Sequence, residues 1–159
     1  MKKIIMVLFI AAGLFAGTAQ AASSSGQFDV NITLTSTCTL STVNAVAFAY
    51  TSLQGSAQNS TAGTGTFTVT CTNQLPYSFG LQAGTGAATP PGSASISVTD
   101  AVVNLGYTLN APAAGTGNGA AQSLAVSGTM AANQSGNCNA ASCTNATSGN
   151  KTQTLILNY

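Results

Sequence analysis

Apolar and polar residues alternate one by one through most of this chain, and that alternation leaves few folds open. Phe28, Val30, Ile32 and Leu34 point one way, while Gln27, Asp29, Asn31 and Thr33 point the other. Val46, Phe48 and Tyr50 repeat the pattern, as do Phe67, Val69 and Cys71, then Tyr77, Phe79 and Leu81. Val103, Leu105, Tyr107 and Leu109 follow, then Leu124 and Val126, and last Leu155, Leu157 and Tyr159. A period of two places successive side chains on opposite faces, which is the mark of half-buried strands. Between these runs lie turn-formers: Gln54-Gly55-Ser56, Ala62 to Gly65, Gly84 to Gly92 with Pro90-Pro91, and Gly115 to Gly119. Many short strands separated by Gly- and Pro-bearing turns predict an all-β sandwich.

The first residues carry a different message. Lys2 and Lys3 precede an apolar run from Ile4 to Phe15, and Ala19-Gln20-Ala21 has the small-x-small form of a cleavage site. The run is shorter than the ~20 apolar residues a spanning helix needs. Residues 1–21 therefore read as a secretory signal peptide, removed after Ala21. The mature chain, Ala22 to Tyr159, has the length of one domain. It retains only Lys151, Asp29 and Asp100 as charged side chains, with no Arg, Glu or His. A basic groove for nucleic acid is excluded by that inventory, and so is a cationic face for anionic lipid. No direct insertion into a membrane is expected. A polar surface made of Thr, Ser, Asn, Gln and Gly suits a protein that packs against copies of itself.

Four cysteines remain, Cys38, Cys71, Cys138 and Cys143. An even number behind a signal peptide argues for two disulfides formed in an oxidising compartment. Of three possible pairings, Cys38–Cys71 and Cys138–Cys143 fit best. The first pair sits in two Thr-flanked strand patterns, and the second staples a short loop of Gly, Asn, Ser and Ala. The two ends of the mature chain are also informative. A Ser-rich lead, Ser23-Ser24-Ser25-Gly26, precedes the amphipathic run Gln27 to Leu34, and the chain stops on the pattern Leu155 to Tyr159. Two readings of Gln27 to Leu34 are open from the pattern alone. It is the domain's own first strand, or it completes a neighbour's sheet by strand addition.

These residues resemble the spore coat protein U domain, the family that includes the pilins of archaic chaperone–usher pili. Phe28-Asp29-Val30-Asn31-Ile32 with Thr37-Cys38-Thr39-Leu40 looks like the family's N-terminal strand and first cysteine. Phe67-Thr68-Val69-Thr70-Cys71-Thr72 and Pro76-Tyr77-Ser78-Phe79-Gly80-Leu81 look like its second cysteine strand and the continuation. Leu105-Gly106-Tyr107-Thr108-Leu109, Val126-Ser127-Gly128-Thr129-Met130 and Thr152 to Tyr159 are similar to its later strands. Two departures stand out. Gly149-Asn150-Lys151-Thr152-Gln153 replaces a family stretch with acidic and aromatic positions, and the Cys138–Cys143 loop looks like an addition.

The resemblance implies a six-stranded, incomplete immunoglobulin-like sandwich that lacks its last strand. It divides the mature chain into an N-terminal donor segment, residues 22–35, and a pilin-type domain, residues 36–159. Phe28, Val30, Ile32 and Leu34 become the donor-strand plugs, and Leu155, Leu157 and Tyr159 the C-terminal strand. The implied partners are further copies of the chain in a homopolymer, a periplasmic chaperone that lends a strand, and an outer-membrane usher. The implied destination is a fimbrium at the cell surface, reached through the periplasm. A non-fibrous coat protein and a pilus-tip adhesive module are the alternatives.

The inventory points to no chemistry. Without His, no Ser–His–Asp or Cys–His arrangement can exist. Asp29 and Asp100 are expected to be solvated or to cap turns. Zinc and calcium lack a ligand cluster, and Gly115 to Gly119 is expected to be a flexible loop and not a phosphate cradle. Catalytic residues, metal ligands and cofactors are therefore not expected.

Overall fold

The computed structural model describes residues 22–159, so the expected signal peptide lies outside the described residues. The alternating runs become strands, and every regular element among the described residues is β. In chain order they are β1 (Cys38–Leu40), β2 (Gln58–Asn59), β3 (Thr66–Cys71), β4 (Pro76–Ala83), β5 (Ser95–Thr99), β6 (Gly106–Asn110), β7 (Gly115–Thr116), β8 (Ala121–Ala125), β9 (Ser127–Met130) and β10 (Gln153–Asn158).

They form three antiparallel sheets ordered β1-β3-β8, β10-β4-β7 and β2-β9-β6-β5, consistent with an immunoglobulin-like sandwich. The chain enters one sheet as β8 and leaves in another as β9. The change occurs at Val126, which is buried between them. A second link joins sheets where Leu81 of β4 bridges Ser93 ahead of β5. The six expected strands are thus broken into more and shorter pieces, because the chain switches sheets at such corners.

The inward residues of the alternation make the core. Phe67, Val69 and Cys71 of β3 face Tyr77, Phe79 and Leu81 of β4, with Leu109 of β6 and Val126 closing the cluster. Phe79 stands edge-on to both Phe67 and Tyr77, with ring centroids 5.3 and 5.5 Å apart. Offset and edge-on aromatic pairs add to the burial of their area. The Cys38–Cys71 disulfide joins directly opposed residues of β1 and β3 inside this core. Cys138–Cys143 closes a short exposed loop instead.

Three local expectations are corrected. Val46, Phe48 and Tyr50 keep their inward alternation but belong to no assigned strand. Their segment is held on one side by bonds such as Gly65 N–H to Ala45 O and Thr61 N–H to Ala47 O, too widely spaced for a ladder. Val103 and Leu105 precede β6 and do not begin it, because the chain turns at residues 101–103. Gly115 to Gly119 is not a free loop: Gly115–Thr116 pairs with Pro76 and Tyr77, and Gly117 is buried. A Cβ at Gly117 would meet Cys71 Cβ at 2.7 Å, so close backbone approach requires glycine there.

Candidate functional site: an open groove beside the last strand

Among the described residues β10 has β4 as its one strand partner, in register from Gln153↔Ala83 to Asn158↔Ser78. Its other edge has no strand partner among the described residues. Along that edge runs a groove of about 730 Å³. One wall is Thr152 to Leu155, and the opposite wall is the segment from Val43 to Phe48. The floor is Leu81, Leu109, Val126 and Met130, which are core residues in their own right. Phe48 and Tyr107 meet across the floor with ring centroids 5.9 Å apart.

The two walls are strand-like backbones, and the floor between them is apolar. Such a slot matches an extended chain with every second side chain apolar, because main-chain groups can pair sideways while alternate side chains point down. Leu155 and Leu157 pack partly buried against the core on the groove side of β10, and Ile156 is buried on the other side. Tyr159, expected to close that strand, lies just beyond it and is exposed.

One end of the groove is polar. Asp100 lines it together with Asn145, Thr144 and Lys151. Asp100 is only 1 % exposed, so the expectation of a turn-capping aspartate is met and that of a solvated one is not. Its carboxylate accepts hydrogen bonds from Val102 N–H at 2.8 Å, Val103 N–H at 3.0 Å and Asn145 Nδ2 at 3.1 Å. Burial pushes its pKa up, but the N–H groups of Val103 and Val102 and the Asn145 amide outweigh this and hold it below 3.8. Lys151 donates to Ala146 O. Gln153 bridges the wall and the floor: its Nε2 donates to the Tyr107 hydroxyl at 3.1 Å and its Oε1 accepts from Gly84 N–H at 2.9 Å. Burial raises the Tyr107 pKa, the Gln153 bond opposes this, and the Asp100 charge adds to the rise.

The four residues singled out at the N-terminus are not in any assigned strand. Phe28, Val30, Ile32 and Leu34 are 85, 70, 85 and 77 % exposed, the largest values among big apolar side chains of the described residues. Asp29 is exposed on the opposite alternation. Sequence reasoning found the C-terminal strand but missed the far wall of the groove. It named Asp100 as solvated or turn-capping but missed its bond to Asn145, a residue distant in the chain.

Comparison with family sequence models decides the class of protein. The Spore Coat Protein U domain matches residues 24–156. This chain belongs to that family. It is the family of archaic chaperone–usher pilin subunits, a structural pilus or coat class and not an enzyme family. No curated protein and no solved structure matches the chain. The matched span covers both the exposed run at Phe28 to Leu34 and most of β10. Membership implies a fimbrial or coat location at the surface.

Proposed function

We propose that this Spore Coat Protein U protein is the shaft subunit of an archaic chaperone–usher pilus and polymerises by donor-strand exchange. The observation that carries the reading is the pairing of an unfilled apolar groove beside β10 with a separate run of four exposed, alternating apolar side chains. In this reading residues 1–21 are removed on export and residues 22–35 are the donor segment of each copy. Residues 36–159 are the domain that accepts the segment of the next. A periplasmic chaperone covers the groove until an outer-membrane usher exchanges its strand for the incoming segment. Burying Phe28, Val30, Ile32 and Leu34 contributes at most about 6–12 kcal/mol, at ~1.5–3 kcal/mol each, before ordering costs.

Replacing Ile32 with Asp tests the proposal. A carboxylate in the neighbour's apolar groove costs several kcal/mol even after relaxation. The chaperone-bound monomer should accumulate as wild type while surface fibres disappear. Intact fibres, or loss of the monomer itself, would defeat donor-strand exchange. The family's description as a coat domain favours a second reading, a non-fibrous surface coat. Electron microscopy of cells with and without the protein separates fibre from coat.

A further inference from the structure

The connection from β9 to β10, residues 131–152, contains no strand, and connections longer than about 12–15 residues without regular structure are uncommon unless they serve a purpose. This one is pinned to the body at many points. Asn137 N–H donates to Val103 O at 2.6 Å, and Asn145 Nδ2 reaches the buried Asp100 carboxylate. Asn150 Oδ1 accepts from Ala101 N–H at 3.1 Å and its Nδ2 donates to Thr99 O at 2.7 Å. Ser148 is buried and donates to Asn150 at 2.7 Å. Cys138–Cys143 closes the loop on itself, and Cys143, Thr144 and Asn145 line the groove.

The same end of the groove holds two half-buried apolar residues, Val103 and Leu105. A slot floored by Leu109, Val126 and Leu81 thus continues to Val103 and Leu105, yet its lining there also includes hydroxyls, amides and a carboxylate. An apolar side chain advancing that far would have to displace hydrogen bonds that satisfy a buried charge, which is costly.

Resting on the donor-strand reading above, we infer that the disulfide-stapled loop of residues 138–150, held by Asp100, is an end stop that fixes the register of the incoming segment of a second copy. A strand slides most easily in steps of two, since a two-residue slip keeps its apolar face down. Four alternating apolar residues have no internal feature that forbids such a slip, so the acceptor must supply one. The staple and the Asp100–Asn145 bond supply it by limiting the length of apolar run the groove admits. The specificity is for a segment of limited apolar length, with a polar residue where the stop begins.

The test uses the full mature chain refolded with synthetic peptides of residues 22–35. One peptide has the natural sequence, and two carry a Val-Thr or Thr-Val extension that adds a fifth plug before Phe28 or after Leu34. Binding is measured to the wild-type chain, to the Cys138→Ser/Cys143→Ser variant and to Asn145→Ala, with each chain's cooperative melt recorded. The two variants attack the stop by different routes, so one remains if the other misfolds. In the wild type, the fifth plug on one side should give no gain in affinity. In the variants the same plug should bind about tenfold more tightly or better, as burial of one valine allows. Extension on the other side should behave alike in all chains. If folded variants and wild type rank the three peptides identically, the end stop is overturned while donor-strand exchange stands. If the wild type does not bind the natural peptide, donor-strand exchange fails and the end stop with it.

Discussion

Residues 28–34 and residues 67–71 carry the same alternation and meet opposite fates. Phe67, Val69 and Cys71 are at most 3 % exposed, and their strand β3 pairs with β1 along one edge and with β8 along the other. Ile32 is 85 % exposed and its segment lies in no strand. Period two declares that one face of a strand wants burial, but it does not say against what. In β3 the partner is close at hand: Tyr77, Phe79 and Leu81 of β4, with Leu109 and Val126, cover the face. For residues 28–34 no strand partner is present among the described residues, and the donor-strand exchange proposed above would place that partner in another copy.

The sharpest way to break this comparison is to put the same charge in both runs. Val69→Asp should remove soluble monomer altogether, because an unpaired carboxylate in the core costs on the order of 3–5 kcal/mol or more, a large part of the stability of a domain this size. Ile32→Asp should leave the melting temperature of the monomer unchanged. Thermal melts of the two variants decide it, and equal destabilisation would make residues 28–34 part of the subunit's own core.

Next in size is the contrast between the disulfides. In the chain-entropy picture, replacing Cys38 and Cys71 by Ser costs about 3–4 kcal/mol and replacing Cys138 and Cys143 about 2 kcal/mol. The first pair is buried between strands and the second lies in an exposed loop. Denaturant titrations should therefore rank the pairs in that order, and mass spectrometry after mild reduction should show Cys138–Cys143 opened first. Opening of the core pair first would reverse the contrast.

A smaller effect comes from acid. The folded pKa of Asp100 lies below 3.8, so its ionised form contributes stability at pH values above the unfolded value. That contribution is lost as pH falls through the folded value, where the turn at residues 101–103 and Asn145 lose an anionic acceptor. Wild type should lose stability below about pH 4, and Asp100→Asn, less stable at neutral pH, should show a flatter acid limb. Parallel acid limbs in the two chains would show that the carboxylate does not hold this end of the groove. The smallest expected change is Asn31→Ala, on the polar face of the run at residues 28–34, within about 0.5 kcal/mol for the monomer, and under the proposed function it should leave assembly intact.

Much of this was legible in the chain itself. Inward positions in β3, β4 and β10 could be read from alternation because each side chain's face follows from the pleat alone, and the cysteine pairs followed from strand context and spacing. The segment from Val43 to Tyr50 shows where such reading stops. Its alternation was visible and its inward face was right, yet its backbone bonds went to the turn at residues 61–65 and to Thr66, not into a ladder. Which edge stays open depends on how all the strands are shared among sheets. Asp100 is a second instance. The sequence offered it as solvated or as a turn cap, and the cap is there, but only its distance of 3.1 Å to Asn145 reveals it as the anchor of a long loop. Local alternation is set by backbone geometry and survives in the sequence; a groove and a buried carboxylate are set by contacts between residues far apart in the chain, and tertiary packing alone decides those.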